Sequence, residues 1–399
     1  MNVKNQAIDH ETHEKRIERR IQSLNSFNRT IANRRCLSCI SCISCFSWLI
    51  CPFRMKSDCT MLACAALLLA GWLPLHNAIA AEGKSATADP VGTDKANAET
   101  PPPAPGYKSS AELMAAMATG QVKLISQPKE LPPGVTELKN IEYGKVGDRS
   151  LQLDLYLPEK AAQPVPGLIF IHGGAWSGGT RDVYKYYTVR YAKKGYVAAT
   201  ISYRLSGEAP FPAAVEDAKC AVRWMRANAT KYHIDPNKIA VIGGSAGGHL
   251  SMMVGYSSDV AALEGNGGNP GVSSHVQAVV SFYGPCDLTT DFARNNGAVK
   301  KFLGDKTFEE AREAYPLASP ITHLSKGDPP TLILHGTLDD VVQIDQSDTL
   351  AAKLKELGIP CVYDRLEGWP HAMDLAQVVN DRGQFFMNEF LAKYLPLPK

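Results

Sequence analysis

The sequence predicts an α/β fold: a mostly parallel central sheet, helices on both faces and a small helical insertion. Three observations carry that prediction. Short, wholly apolar runs such as Gly167–Ile171 are the pattern of strands covered on both faces. Such runs alternate with stretches of helical period from residue 135 to the C-terminus. One of them, Lys238–Ile242, enters Gly243-Gly244-Ser245-Ala246-Gly247 and then a helical stretch, a strand–turn–helix unit.

Taken in chain order, the first informative segment is residues 55–80. Met55-Lys56 gives a positive end, Met61–Ala70 an apolar core and Ala78-Ile79-Ala80 small residues of the kind a signal peptidase reads. The apolar run is shorter than the roughly 20 residues a bilayer needs, so the mature chain is expected to hold no stable membrane span. The segment implies a secreted or periplasmic protein. Because such signals stand at a chain start, residues 1–54 are expected to be a non-native extension, with translation beginning at Met55. Seven of the ten cysteines precede residue 65. Cys36, Cys39, Cys42 and Cys45 have the spacing of cluster ligands, but a short Ile/Ser repeat fills the gaps and no second ligand group follows. No metal is expected. Cys220, Cys286 and Cys361 permit at most one disulfide.

Residues 81–134 read as a linker. It is rich in Ala, Thr, Asp and Pro up to Gly106, with one short helix possible in 111–125 and prolines at 128, 132 and 133 beyond it. Residues 135–399 then read as one domain. Leu151, Leu153, Leu155 and Leu157 alternate with more polar residues, a half-buried strand. Strands are predicted at 167–171, 196–202, 238–242, 276–282, 331–335 and 361–366, and helices at 213–229, 246–256, 347–357 and 374–394. Residues 286–328 contain no clear strand and form the helical insertion. With 42 basic and 40 acidic residues the chain offers no strong positive charge, and no nucleic-acid partner is expected.

The Gly-x-Ser-x-Gly turn is where chemistry is expected. A serine on a tight strand-to-helix turn stands above the sheet edge as a nucleophile, and the N–H of Ala246 faces the same space. After the strand ending at Ile171 comes His172-Gly173-Gly174-Ala175-Trp176. Small residues there leave backbone N–H groups open to a developing oxyanion, and the expected donors are Gly174, Ala175 and Ala246. Trp176 is expected to wall the substrate pocket or to lie in the core, and His172 to be structural. The acid and base follow later in the chain. Asp339, in the loop after Thr331–His335, is the first choice of acid and Asp340 its rival. His371, in Glu367-Gly-Trp-Pro-His-Ala-Met373, is the expected base, held in the right tautomer by the carboxylate. Glu367 is expected at the surface or behind the site, His249 against the sheet and His335 in a structural role.

Together these residues resemble the α/β-hydrolase superfamily, and more narrowly its carboxylesterase and feruloyl- or acetylxylan-esterase-like group. The resemblance spans residues 138–397 and rests on His172–Trp176, Ser202-Tyr-Arg-Leu205, Phe211–Ala218, Gly243–His249 and His335-Gly-x-x-Asp339. One departure is Ala175, where hormone-sensitive-lipase-like relatives carry a third glycine. The resemblance implies a serine esterase acting on a small-molecule or polysaccharide ester without a cofactor. Short acyl groups are favoured, since no long apolar lid is visible. Two rivals share the fold. A prolyl-oligopeptidase-like peptidase is expected to need a propeller, for which only about 50 mature residues precede the domain. A non-catalytic binding protein is expected to have lost the nucleophile or the base. No motif speaks to the oligomeric state.

Overall fold

The structure is a computed structural model that describes residues 100–159 and 163–398. The extension 1–54, the signal segment 55–80 and the seven N-terminal cysteines lie outside the described residues. The strands are β1 Val135–Val146, β2 Arg149–Pro158, β3 Val165–Ile171, β4 Val197–Ile201, β5 Ile234–Gly244, β6 Ala278–Phe282, β7 Thr331–Gly336 and β8 Cys361–Leu366. They form one sheet in the order β1-β2-β4-β3-β5-β6-β7-β8. Only the β1/β2 and β2/β4 pairings are antiparallel. The rest are parallel, and each parallel crossover carries a helix or helical segment. The helices are α1 Ser110–Ala118, α2 Lys185–Lys193, α3 Ala213–Ala227, α4 Ala246–Tyr256, α5 Asp291–Asn295, α6 Gly297–Phe302, α7 Ala314–Leu317, α8 Asp345–Glu356 and α9 Gln377–Tyr394.

Two cores form because successive strand side chains point to opposite faces. In β3, Ile169 and Ile171 join the core under α3, α4 and α8, while Leu168 and Phe170 join the core under α2 and α9. Both faces are covered, which is why β3, β4, β6 and β7 are apolar at nearly every position. The order of the sheet puts the C-terminal ends of β3, β5, β6, β7 and β8 along one edge. The loops that leave them meet there.

Four features depart from the expectations. β1 carries Thr, Glu, Lys and Asn, and its polar pattern gave no strand signal; its long antiparallel pairing with β2 makes it one. α2 reads Lys-Tyr-Tyr-Thr-Val-Arg-Tyr-Ala-Lys, rich in residues that favour strands. It is helical because Tyr187 and Tyr191 pack on Phe170 from successive turns. The polar face of β2 is buried as well, since Asp154 accepts from the Asn140 N–H and lies 3.4 Å from Arg181. Residues 100–134 are not a free linker. Ala104, Leu113, Ala116 and Val122 are buried in the α2/α9 core. The Tyr107 N–H donates to Gly368 and the Gln377 N–H to Lys123. The segment straps the loop between β8 and α9. Cys220, Cys286 and Cys361 are free thiols.

Candidate active site

Ser245 sits between β5 and α4 with φ 56° and ψ −124°. A side chain rarely adopts that region, so the turn is strained. Close approach explains the flanking glycines. A Cβ on Gly247 would lie 1.9 Å from the Ile171 carbonyl oxygen, and one on Gly243 would lie 2.3 Å from the Gly247 oxygen. The turn is locked to the sheet by the Ser245 N–H, which donates to Phe282 at 2.8 Å.

His371 lies over this turn. The Ser245 hydroxyl is 2.9 Å from His371 Nε2, and His371 Nδ1 is 2.6 Å from Asp339 Oδ2. The serine hydroxyl therefore donates to Nε2 and Nδ1–H to the carboxylate. Asp339 is buried, and its other oxygen accepts from the N–H groups of Val341 and Val342 at 2.9 and 2.8 Å. Burial alone would raise its carboxyl. The charge of His371 and hydrogen bonds from His335 and His371 outweigh burial and lower it to about 2. Asp340 is exposed, as is Glu367, which pairs with Arg365 at 3.4 Å. Of the two candidate acids, Asp339 is the one hydrogen-bonded to His371.

The loop after β3 runs through left-handed backbone, with φ 112° at Gly174, 53° at Ala175 and 55° at Trp176. No backbone carbonyl among the described residues takes the N–H of Gly174 or Ala175. Ala246 opens α4, where an N–H has no partner within the helix. Ala175 and Ala246 line the cavity over Ser245, together with Trp176, Phe292, Val299, Val342 and Gln346. Gly174 does not line that cavity and sits one residue behind it. The cavity measures about 50 Å³. Its roof comes from α5 and α6, so the insertion shapes the site. A larger open groove of about 610 Å³ runs between residues 126–132 and α2, and none of the residues above line it.

Trp176 is 3% exposed and lines the cavity. Its ring stacks on Phe302 at 4.5 Å. His249 does not pack against the sheet. It projects from α4 toward the insertion, accepts from Trp176 Nε1 at 3.2 Å and donates to the Ala318 carbonyl at 2.8 Å. Burial lowers it to about 4, so it is neutral at pH 7. His172 stacks on Tyr203 at 4.4 Å, and burial lowers it too. Sequence reasoning missed the second contact of the acid. His335 accepts from Ser347 at 2.7 Å and donates to Val342 at 2.9 Å and Asp339 at 3.1 Å. The spacing His335-x-x-x-Asp339 was the available signal. Among the described residues no cluster of metal-ligating side chains occurs, and no helix is long and apolar enough to cross a membrane.

The arrangement can remove a proton from a strained hydroxyl, hold the resulting imidazolium against a carboxylate, and offer N–H donors to an oxyanion. Residues 153–354 match the family model BD-FAE. The esterase LipC of Mycobacterium tuberculosis is 33% identical over 261 residues, covering 62% of this chain and 64% of LipC. The chain thus spans just under two thirds of that relative. A truncated carbohydrate esterase from gut microbiota superposes with a TM-score of 0.58 at 29% identity, covering 66% of this chain and 99% of that one. The propionate-bound thermophilic esterase Est2 of Thermogutta terrifontis gives 0.57 at 29% identity, covering 67% and 97%.

Proposed function

The chain belongs to the BD-FAE family, with the α/β-hydrolase fold, and from that premise we propose that it is a serine carboxylic-ester hydrolase for short acyl groups. The observation that carries the proposal is the hydrogen-bonded series Ser245–His371–Asp339, whose Ser245 end lines a small cavity. In the proposed reaction His371 Nε2 takes the Ser245 proton as Oγ attacks the acyl carbonyl. The oxyanion falls to the N–H groups of Ala246 and Ala175, with Gly174 beside them. The tetrahedral intermediate collapses, the imidazolium gives its proton to the departing alkoxide, and an acyl-Ser245 ester remains. Water, deprotonated by His371, attacks that ester and releases the acid. Asp339 keeps Nδ1 protonated and stabilises the imidazolium throughout.

Cavity size supports a short acyl group. About 50 Å³ is a few times the 10–15 Å³ that one water needs, room for an acetyl or propionyl group but not for laurate. The bound propionate named for the Est2 relative is of that size. The similarity to a carbohydrate esterase supports a polysaccharide as carrier of the acyl group, with a simple alcohol ester as the alternative. Export through residues 55–80 fits an extracellular substrate, and N-terminal sequencing of the mature protein tests it; a mature start upstream of Met55 refutes it.

The test is hydrolysis of p-nitrophenyl acetate, butyrate and laurate, acetylated xylan and methyl ferulate, with Ser245→Ala beside the wild type. Cleavage of the short esters that falls to background in the variant upholds the proposal. Equal inertness of both proteins on every ester refutes it.

A further inference from the structure

One buried acid has no part in the steps above. Asp374 lies three residues after His371, in the short turn Met373–Leu375 that follows a left-handed Ala372 at φ 56°. It is 6% exposed. Tyr187 from α2 donates to its Oδ2 at 2.9 Å, and the Tyr283 hydroxyl donates to Oδ1. Asn380 from α9 completes the cage. It donates to the Tyr187 hydroxyl at 2.8 Å and to the Asp374 carbonyl at 2.9 Å. The Tyr184 hydroxyl lies alongside, below Gly244, where a Cβ would meet it at 2.7 Å and the Tyr283 hydroxyl at 2.9 Å.

Tyr283 joins this cage to the reacting atoms. It ends β6, directly after the Phe282 carbonyl that holds the Ser245 N–H. Its backbone is left-handed at φ 42°, and its N–H is tied to Leu334. Its ring lies 4.6 Å from the His371 ring, tilted by 60°. The groups in contact with His371 are thus Ser245, Asp339 and Tyr283, with His335 behind Asp339 and Asp374 reached through the Tyr283 hydroxyl.

We infer that Asp374 is a positioning residue for the proposed reaction. Through Tyr283 it fixes the face of the His371 ring, and as a second buried carboxylate it favours the imidazolium formed when His371 takes the Ser245 proton. The inference rests on the serine-esterase reading of the site. Burial raises the Asp374 carboxyl above its ordinary value, outweighing the Tyr283 and Tyr187 hydroxyls, whose hydrogen bonds favour the ionised form. A residue that merely anchored the turn to α2 would leave the titration of His371 alone.

The test is the pH profile of kcat/KM on p-nitrophenyl acetate for wild type, Asp374→Asn, Tyr283→Phe and Ser245→Ala. Loss of the negative charge makes the imidazolium less favourable, so the acidic limb moves to lower pH. For Asp374→Asn the expected shift is about half to one unit, with kcat down about tenfold and KM within about twofold. Tyr283→Phe removes one donor to the carboxylate but keeps the acid. It moves the limb the same way by less, and it carries the test if Asp374→Asn does not fold. Folded variants whose acidic limb matches the wild type, beside an inactive Ser245→Ala, overturn the inference and leave the serine reading standing. An active Ser245→Ala overturns the serine reading itself.

Discussion

Ser245 pays a backbone penalty for its position, and two substitutions separate that strain from its chemistry. At φ 56° and ψ −124° the residue occupies a region that is essentially glycine's. Such a conformation costs about 1–3 kcal/mol. Ser245→Ala keeps the Cβ and the strain. Ser245→Gly removes both, but the unfolded chain gains freedom that opposes folding by about 0.4–1 kcal/mol. Ser245 is half-buried, so the lost Cβ forfeits a further ~0.4 kcal/mol of apolar burial. Both variants lose the hydroxyl bond to His371, and that contribution cancels between them. The balance favours glycine by about 1 kcal/mol, or roughly 2 °C in melting temperature for a domain of this size. Differential scanning fluorimetry at pH 7 resolves the difference. Both variants should be about 10⁶-fold slower than wild type in kcat, the loss seen on removing a serine protease nucleophile. If Ser245→Gly melts at or below Ser245→Ala, the turn is not strained against a side chain, and the account of its shape is wrong.

Other outcomes follow from the same geometry. Asp339→Asn leaves His371 in the wrong tautomer, and kcat on p-nitrophenyl acetate should fall about 10⁴-fold with KM little changed; a loss under tenfold would clear Asp339 of this role. Buried His249, lowered to about 4, makes the fold acid-labile: its contribution of about 3 kcal/mol is full above pH 6.5 and is lost as pH falls toward 4. His249→Gln should flatten urea-derived stability over that window, and an unchanged slope refutes it. Gly247→Ala should destabilise by at least about 3 kcal/mol or block folding, because its Cβ meets the Ile171 oxygen at 1.9 Å; soluble expression and a melting curve decide. Val342→Ala enlarges the cavity over Ser245 and should raise the butyrate-to-acetate ratio of kcat/KM severalfold, a ratio that stays put if Val342 does not bound the acyl group.

β3, β4, β6 and β7 were legible because both their faces are covered and their apolar runs need no context to be read, and β2 from the alternation of its leucines. β1 was not legible. Its polar residues become a strand only when β2 supplies the ladder. α2 was not legible either, since its tyrosines favour strands and only the Phe170 surface turns them into a helix face. The same limit applied to residues 100–134. Their composition is that of a linker, and only the loop at Glu367–Trp369 gives Ala104 and Tyr107 something to bind.

The site divides the same way. Ser245 and the glycines around it were legible locally, because a tight strand-to-helix turn admits few residue types. The path from His249 to the insertion and the pairing of Asp374 with Tyr187 and Tyr283 were not. Each joins residues from separate strands and helices, and nothing in their local sequence distinguishes a buried partner from a solvated one. The sheet order that brings the ends of β5, β6, β7 and β8 to one edge makes that choice, since it decides which carboxylate leaves water and what it meets there.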